Sequence, residues 1–218
     1  MSRKTKGTDL SRREFVTTVG LAGLAGLAVA GAGAAGVIAA PEPPAGAVTA
    51  ETMPKRKLGK TGVDVPILAL GGMFDTINNQ LLLRQALKWG VTYWDTAESY
   101  GDGLSEEGYG RFFSRYPEAR KEVFLVTKLQ AKGGSFTERL DNSLKRLQTG
   151  YVDLLFVPHG LTEIGELTPA IRDWAAEMKK AGKIKFFGFS THTNMEDCLL
   201  GAAKLGWIDA MMLTYNFR

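Results

Sequence analysis

The chain has 218 residues, with 27 basic and 23 acidic side chains and a formal net charge of +4. Five of the basic residues (Arg3, Lys4, Lys6, Arg12, Arg13) and three of the acidic ones (Asp9, Glu14, Glu42) fall in the first 47 positions; the rest carries 22 against 20, so net charge gives nucleic-acid binding no support. The one cysteine, Cys198, excludes an internal disulfide and any multi-cysteine metal site within the chain.

Residues 1–47 read as an address followed by a linker. Ser11-Arg12-Arg13-Glu14-Phe15-Val16 follows a basic, polar start and precedes an apolar run from Val19 to Ala40. That order is the one a secretory signal needs, and the paired arginines ahead of Phe15-Val16 resemble a twin-arginine export signal. The run is mostly Gly and Ala, long enough to span a bilayer but weakly hydrophobic for a permanent anchor. Ala45-Gly46-Ala47 supplies small residues for cleavage before Val48. The reading expects an exported, periplasmic protein that uses the twin-arginine machinery. A retained membrane anchor through an uncleaved signal is the alternative.

Residues 48–218 read as one domain. A polar hairpin over 57–65 turns at Gly59-Lys60-Thr61-Gly62. Short apolar runs then predict strands at Ile67–Leu70, Val91–Trp94, Val123–Val126, Val152–Val157, Ile184–Phe187 and Ala210–Leu213. Helical spacing joins Leu81, Leu82, Leu83, Ala86, Leu87 and Trp89, then Leu140, Leu144 and Leu147, then Ile171, Trp174, Ala175 and Met178. Ser135 and Thr168-Pro169 suit helix starts, and Gly90, Gly150 and Gly182 suit helix ends. Strands alternating with helices imply a parallel sheet covered on both faces. A dinucleotide-binding doubly wound fold would show G-x-G-x-x-G after its first strand, and Gly71-Gly72-Met73-Phe74-Asp75-Thr76 does not fit. An α/β fold of (β/α)8 TIM-barrel type is therefore favoured, with about six of the eight βα units present and the first and sixth strands left as edges.

In such a barrel the chemistry gathers at the carboxyl ends of the strands. Those ends bring Asp95 with Tyr100 in the next loop, then Lys128, then His159. Each has a bland reading: Asp95 as a loop or helix cap, Lys128 snorkelling to solvent, His159 as a satisfied rim histidine, Tyr100 as a packing residue. Together they suit carbonyl reduction, because hydride reaching the carbon builds negative charge on the oxygen. A phenol with an ordinary pKa near 10 is a poor donor at neutral pH. An ammonium beside it favours the phenolate, a carboxylate holds the ammonium, and an imidazole can orient the carbonyl.

At this point the sequence resembles the aldo-keto reductase family. The segments that carry the resemblance are Lys57-Leu58-Gly59-Lys60-Thr61-Gly62, Leu68-Ala69-Leu70-Gly71-Gly72-Met73, Trp94-Asp95-Thr96-Ala97-Glu98-Ser99-Tyr100 and Val126-Thr127-Lys128. Leu140 to Leu147, Tyr151-Val152-Asp153-Leu154-Leu155, His159 and Gly188-Phe189-Ser190 add to it. The resemblance implies a catalytic tetrad of Asp95, Tyr100, Lys128 and His159, with Tyr100 the general acid. It implies a NADP(H) cofactor (NAD(H) being possible) near Gly71, Gly72, Met73, Asp95, Ser190 and Thr191, with His192 close by, and a small-molecule aldehyde or ketone as substrate. Two departures stand out. Met212-Leu213-Thr214-Tyr215-Asn216 lacks the glutamine many members carry in the sixth strand, and the segments that would stack on the nicotinamide and grip the adenosine phosphate are missing. The reading is thus a carboxy-terminally truncated member. Its competitors are a non-catalytic remnant without cofactor affinity and a metal-dependent barrel hydrolase; for the latter only His159 and His192 are available as histidines.

Overall fold

The computed structural model describes residues 53–215, so the expected signal segment, its cleavage site and the boundary at 47 lie outside the described residues. A hairpin comes first. β1 (Lys55–Lys57) pairs antiparallel with β2 (Asp64–Pro66), and Gly59 and Gly62 take the positive φ values of 51° and 77° that the turn requires. Six parallel strands follow: β3 (Ala69–Gly71), β4 (Tyr93–Asp95), β5 (Phe124–Lys128), β6 (Val152–His159), β7 (Ile184–Thr191) and β8 (Ala210–Leu213). Each lies beside its sequence neighbour, in the order β3-β4-β5-β6-β7-β8. That unbroken order, without a switch point, is a curled sheet of (β/α)-barrel type rather than a doubly wound one. β3 and β8 form its edges among the described residues.

The helices between the strands are α1 (Gln80–Lys88), α2 (Leu104–Arg115), the single turn α3 (Ala119–Glu122), α4 (Phe136–Arg146), α5 (Pro169–Lys180) and α6 (Met195–Leu205). Two begin as their sequences suggest: the Ser135 and Thr168 hydroxyls accept from the backbone N–H groups of Glu138 and Ile171. Gly90 and Gly182 close helices at positive φ, but Gly150 does not. After α4 the left-handed position is taken by Gln148, at φ 51°, two residues earlier than expected. α2 and α6 were not among the expected helices. α2 was hidden by Gly108 and Gly110, which weaken an isolated helix. Both are there for space, since a Cβ at Gly108 would stand 2.0 Å from Thr76 Oγ1 and one at Gly110 2.0 Å from the Arg146 carbonyl. No helix among the described residues is long and apolar enough to cross a membrane.

Strand periodicity sorts the core into two layers. Trp94, Leu125, Leu155, Val157 and Phe187 face the helices and pack with Leu83, Tyr109, Phe112, Leu140 and Leu144. Tyr93, Phe124, Val126, Leu154, Phe156 and Phe186 form the inner face, against which the hairpin residues Leu58, Val63 and Val65 pack. β5 and β6 are buried along nearly their whole length, as strands covered on both faces must be. The same alternation sets the site. Asp95 follows Tyr93 by two, and Lys128 follows Val126 by two, so both project from the inner face at the strands' carboxyl ends.

Candidate active site

Register brings the tetrad together. Asp95 pairs with Val126 across β4 and β5, Lys128 pairs with Phe156 across β5 and β6, and His159 pairs with Ser190 across β6 and β7. Lys128 is 1 % exposed, and its Nζ donates to Asp95 Oδ2 at 2.5 Å, to the Thr96 carbonyl at 2.8 Å and to the Tyr100 hydroxyl at 3.3 Å. The ammonium also sits 4.7 Å from the centre of the Tyr100 ring. His159 meets that ring edge-on, with centroids 5.9 Å apart and planes at 75°. All four side chains therefore surround one point, with Tyr100 and His159 nearer solvent than Asp95 and Lys128.

Burial and charge set the protonation states. Burial pushes the Asp95 carboxyl above the usual carboxylate range, against the opposing pull of the Lys128 charge and hydrogen bond. Its second oxygen, Oδ1, is buried without a hydrogen-bond partner. His159 is pushed below the ordinary imidazole value by burial, by Lys128 and by His192, with only Glu98 opposing. It is thus a neutral imidazole at neutral pH. Tyr109, fully buried on α2, is held well above the phenol range by burial and by Asp95 and Tyr100. It remains a neutral phenol and donates to the Asp95 carbonyl at 3.3 Å.

The expected cofactor residues have distinct surroundings. Gly71 ends β3 opposite Asp95, with nothing within 4 Å of where a Cβ would stand. Gly72 is buried and donates its N–H to the Asp95 carbonyl at 2.7 Å; a Cβ there would lie 2.7 Å from that same oxygen. The Met73 side chain is exposed. β7 runs four residues beyond its expected end and takes in Ser190 and Thr191. Ser190 Oγ accepts from the Gly160 N–H at 3.2 Å, and Thr191 Oγ1 lies 2.8 Å from the Leu161 carbonyl. A cavity of about 290 Å³ beside Tyr100 is lined by Gly72, Met73, Phe74, Ile77 and Leu104 among others. Among the described residues no group of three or more His, Cys, Asp or Glu could hold a metal ion.

Sequence reasoning missed the frame behind the tetrad. Glu98 Oε1 accepts from the Gln130 N–H at 2.8 Å, and Arg139 on α4 donates Nε to Oε2 at 3.0 Å and Nη2 to Oε1. Glu98 stands two residues before Tyr100 and Gln130 two after Lys128, so this one carboxylate ties the loop of Tyr100 to the segment that follows Lys128 at the end of β5. Glu106, fully buried on α2, accepts from Thr127 Oγ1 at 2.5 Å and from Arg146 Nε at 2.7 Å. It fixes the residue next to Lys128. The two arginine partners lie 41 and 40 residues from Glu98 and Glu106 in the chain, and only a buried acid amid apolar residues of a helix could have hinted at the second carboxylate.

Residues 70–217 match the model of the Aldo/keto reductase family. The chain belongs to that family. Among curated aldo-keto reductases, it is 32 % identical over 162 residues to yakc of Schizosaccharomyces pombe, whose name specifies NADP(+), covering 64 % of this chain and 46 % of that protein. It is 34 % identical over 155 residues to YhdN of Bacillus subtilis, covering 61 % of this chain and 45 % of the relative. The chain thus spans about half the length of the curated relatives it matches. Solved aldo-keto reductases share the architecture. AKR11C1 from Bacillus halodurans, in its holo form, aligns with a TM-score of 0.62 at 28 % identity, covering 75 % of this chain and 58 % of that one. An aldo/keto reductase from Klebsiella pneumoniae in complex with NADP and acetate aligns at 0.51 with 30 % identity, covering 62 % of this chain and 49 % of the other.

Proposed function

We propose that this aldo/keto reductase chain serves NADP(H)-dependent interconversion of a small aldehyde or ketone and its alcohol, with Tyr100 as the proton donor. The observation that carries the reading is the Lys128 ammonium, held by Asp95 at 2.5 Å and set 3.3 Å from the Tyr100 hydroxyl. As the phenol gives up its proton to a carbonyl oxygen, that ammonium offsets the charge left on the phenol oxygen. The neutral His159 ring, edge-on to Tyr100, can donate a hydrogen bond to the same carbonyl oxygen and hold it in line. The cavity walled by Met73, Phe74, Ile77 and Leu104 gives the carbonyl's substituent an apolar seat next to the donor.

The residues suit a nicotinamide dinucleotide. Asp95 Oδ1 is an acceptor without a partner, and Gly71, opposite Asp95 in the register, has open space where a Cβ would stand. Gly71, Gly72, Met73, Asp95, Ser190 and Thr191 would hold the nicotinamide end; when bound, the group supplies the hydride. Titration of the purified protein with NADPH, read by quenching of tryptophan fluorescence, tests the reading. Saturable micromolar binding followed by turnover in a carbonyl screen supports it. A folded chain that binds no NADPH overturns it in favour of a non-catalytic remnant.

We infer further that the chain is exported by the twin-arginine route, on the strength of Ser11-Arg12-Arg13-Glu14-Phe15-Val16 and the weakly apolar run after it. Fractionation of cells expressing the full chain and the Arg12→Lys/Arg13→Lys variant checks this. Equal distribution of the two between compartments would refute it.

A further inference from the structure

A second cavity, of about 330 Å³, lies between the loop after β4, the loop after β5 and α4. It shares no residue with the cavity beside Tyr100. Lys132, Arg139 and Arg146 line it together with Ser99, Asn142 and a single acid, Glu98. Arg139, Asn142 and Arg146 stand at i, i+3 and i+7 of α4 and so share one face of that helix. Gly133 brings the Lys132 loop onto that face: a Cβ there would come within 3.3 Å of Arg139 Nη1, at a φ of +125° that other residues rarely adopt.

The hydrogen-bond inventory is one-sided. Glu98 is taken up by Gln130 and Arg139. Arg146 gives Nε and Nη2 to Glu106 and Ser143. What remains is a surplus of donors. Arg139 Nη1 has no partner but is buried under Gly133, so Arg139 gives the cavity its charge rather than that N–H group. Lys132 makes no ion pair with another described residue, and Arg146 Nη1, the Asn142 amide and the Ser99 hydroxyl make no hydrogen bond with one. A cavity whose one acid is consumed, whose free charges are all positive and whose Ser99 hydroxyl and Asn142 amide can each donate complements a ligand that accepts and carries spread negative charge.

We propose that this cavity is a binding site for a small oxyanion of the phosphate class, separate from the carbonyl site. The anion is either free phosphate or the phosphate group of a monoester. Its position against Glu98 and Ser99 places it directly behind the loop that carries Tyr100, without contact with the tetrad.

Calorimetric titration of the full chain with inorganic phosphate, against chloride at matched ionic strength, tests the site without reference to catalysis. The expected result is a saturable heat with phosphate and none with chloride. Lys132→Gln and Asn142→Leu should each leave the melting temperature in phosphate-free buffer unchanged, and Lys132→Gln should raise Kd roughly tenfold, as loss of one charge-assisted hydrogen bond does. Equal affinity for methyl phosphate and inorganic phosphate identifies the bare anion as sufficient; tighter methyl phosphate binding identifies an ester. The absence of saturable binding by either probe overturns the proposal. So does binding that neither substitution weakens, which would place the anion elsewhere.

Discussion

Replacing Lys128 by Met removes the charge at the centre of the site while keeping most of the side chain's packing. At the 2.5 Å contact with Asp95, direct attraction at an effective dielectric near 20 is roughly 7 kcal/mol. Desolvation of both groups cancels much of it, and breaking one side of a buried pair costs about 3–5 kcal/mol. The cost should depend on pH. Burial already raises the Asp95 carboxyl, and without the ammonium it rises further. A raised carboxylate penalises the folded state above its folded pKa, and that penalty fades as pH falls and the group takes a proton. Urea unfolding should therefore show a deficit of about 3–5 kcal/mol at neutral pH that shrinks in acid. Adding Asp95→Asn should restore about 2 kcal/mol, since neither charge is then stranded. Turnover should fall by roughly 10²–10⁴ in both variants, because the proton donor loses its charge partner either way. A Lys128→Met protein with wild-type stability and turnover, or a double variant no more stable than the single, would refute the reasoning.

Three other outcomes follow from the same geometry. Tyr100→Phe should abolish carbonyl reduction while NADPH affinity stays within about twofold, and undiminished turnover would remove Tyr100 as donor. The His159 imidazole resonances should titrate below the ordinary value of about 6.5, because burial, Lys128 and His192 all disfavour its charged form; Glu98→Gln should lower the midpoint further by removing the one opposing charge. A midpoint above 6.5 contradicts the neutral ring proposed here. Gly110→Ala should destabilise the fold by about 1–3 kcal/mol or more, since its Cβ would meet the Arg146 carbonyl, which is backbone and cannot swing aside. An unchanged urea midpoint would show that α2 and α4 can separate there at no cost.

The sequence by itself determined the alternation of strands and helices, the parallel sheet and the rim on which Asp95, Lys128 and His159 stand. Local signals suffice for this: apolar runs of strand length, caps at Ser135 and Thr168, and glycines at 90 and 182. Tyr100 was legible for the same reason, since a loop residue five positions after a strand end has few places to go. Element ends were less legible. β7 extends through Ser190 and Thr191 because β6 and β8 continue to pair with it, which no local preference records. The glycines of α2 read as helix breakers, yet they permit contact with Thr76 and Arg146, residues about 32 and 36 positions away in the chain. Only the tertiary structure decided the supporting frame. Glu98 with Arg139, and Glu106 with Thr127 and Arg146, are long-range pairs whose value lies in burial, and burial depends on which helix covers which strand. It likewise decided which Asp95 oxygen is left without a partner, because that follows from where the Lys128 ammonium comes to rest between three acceptors on one strand and the loop that follows it.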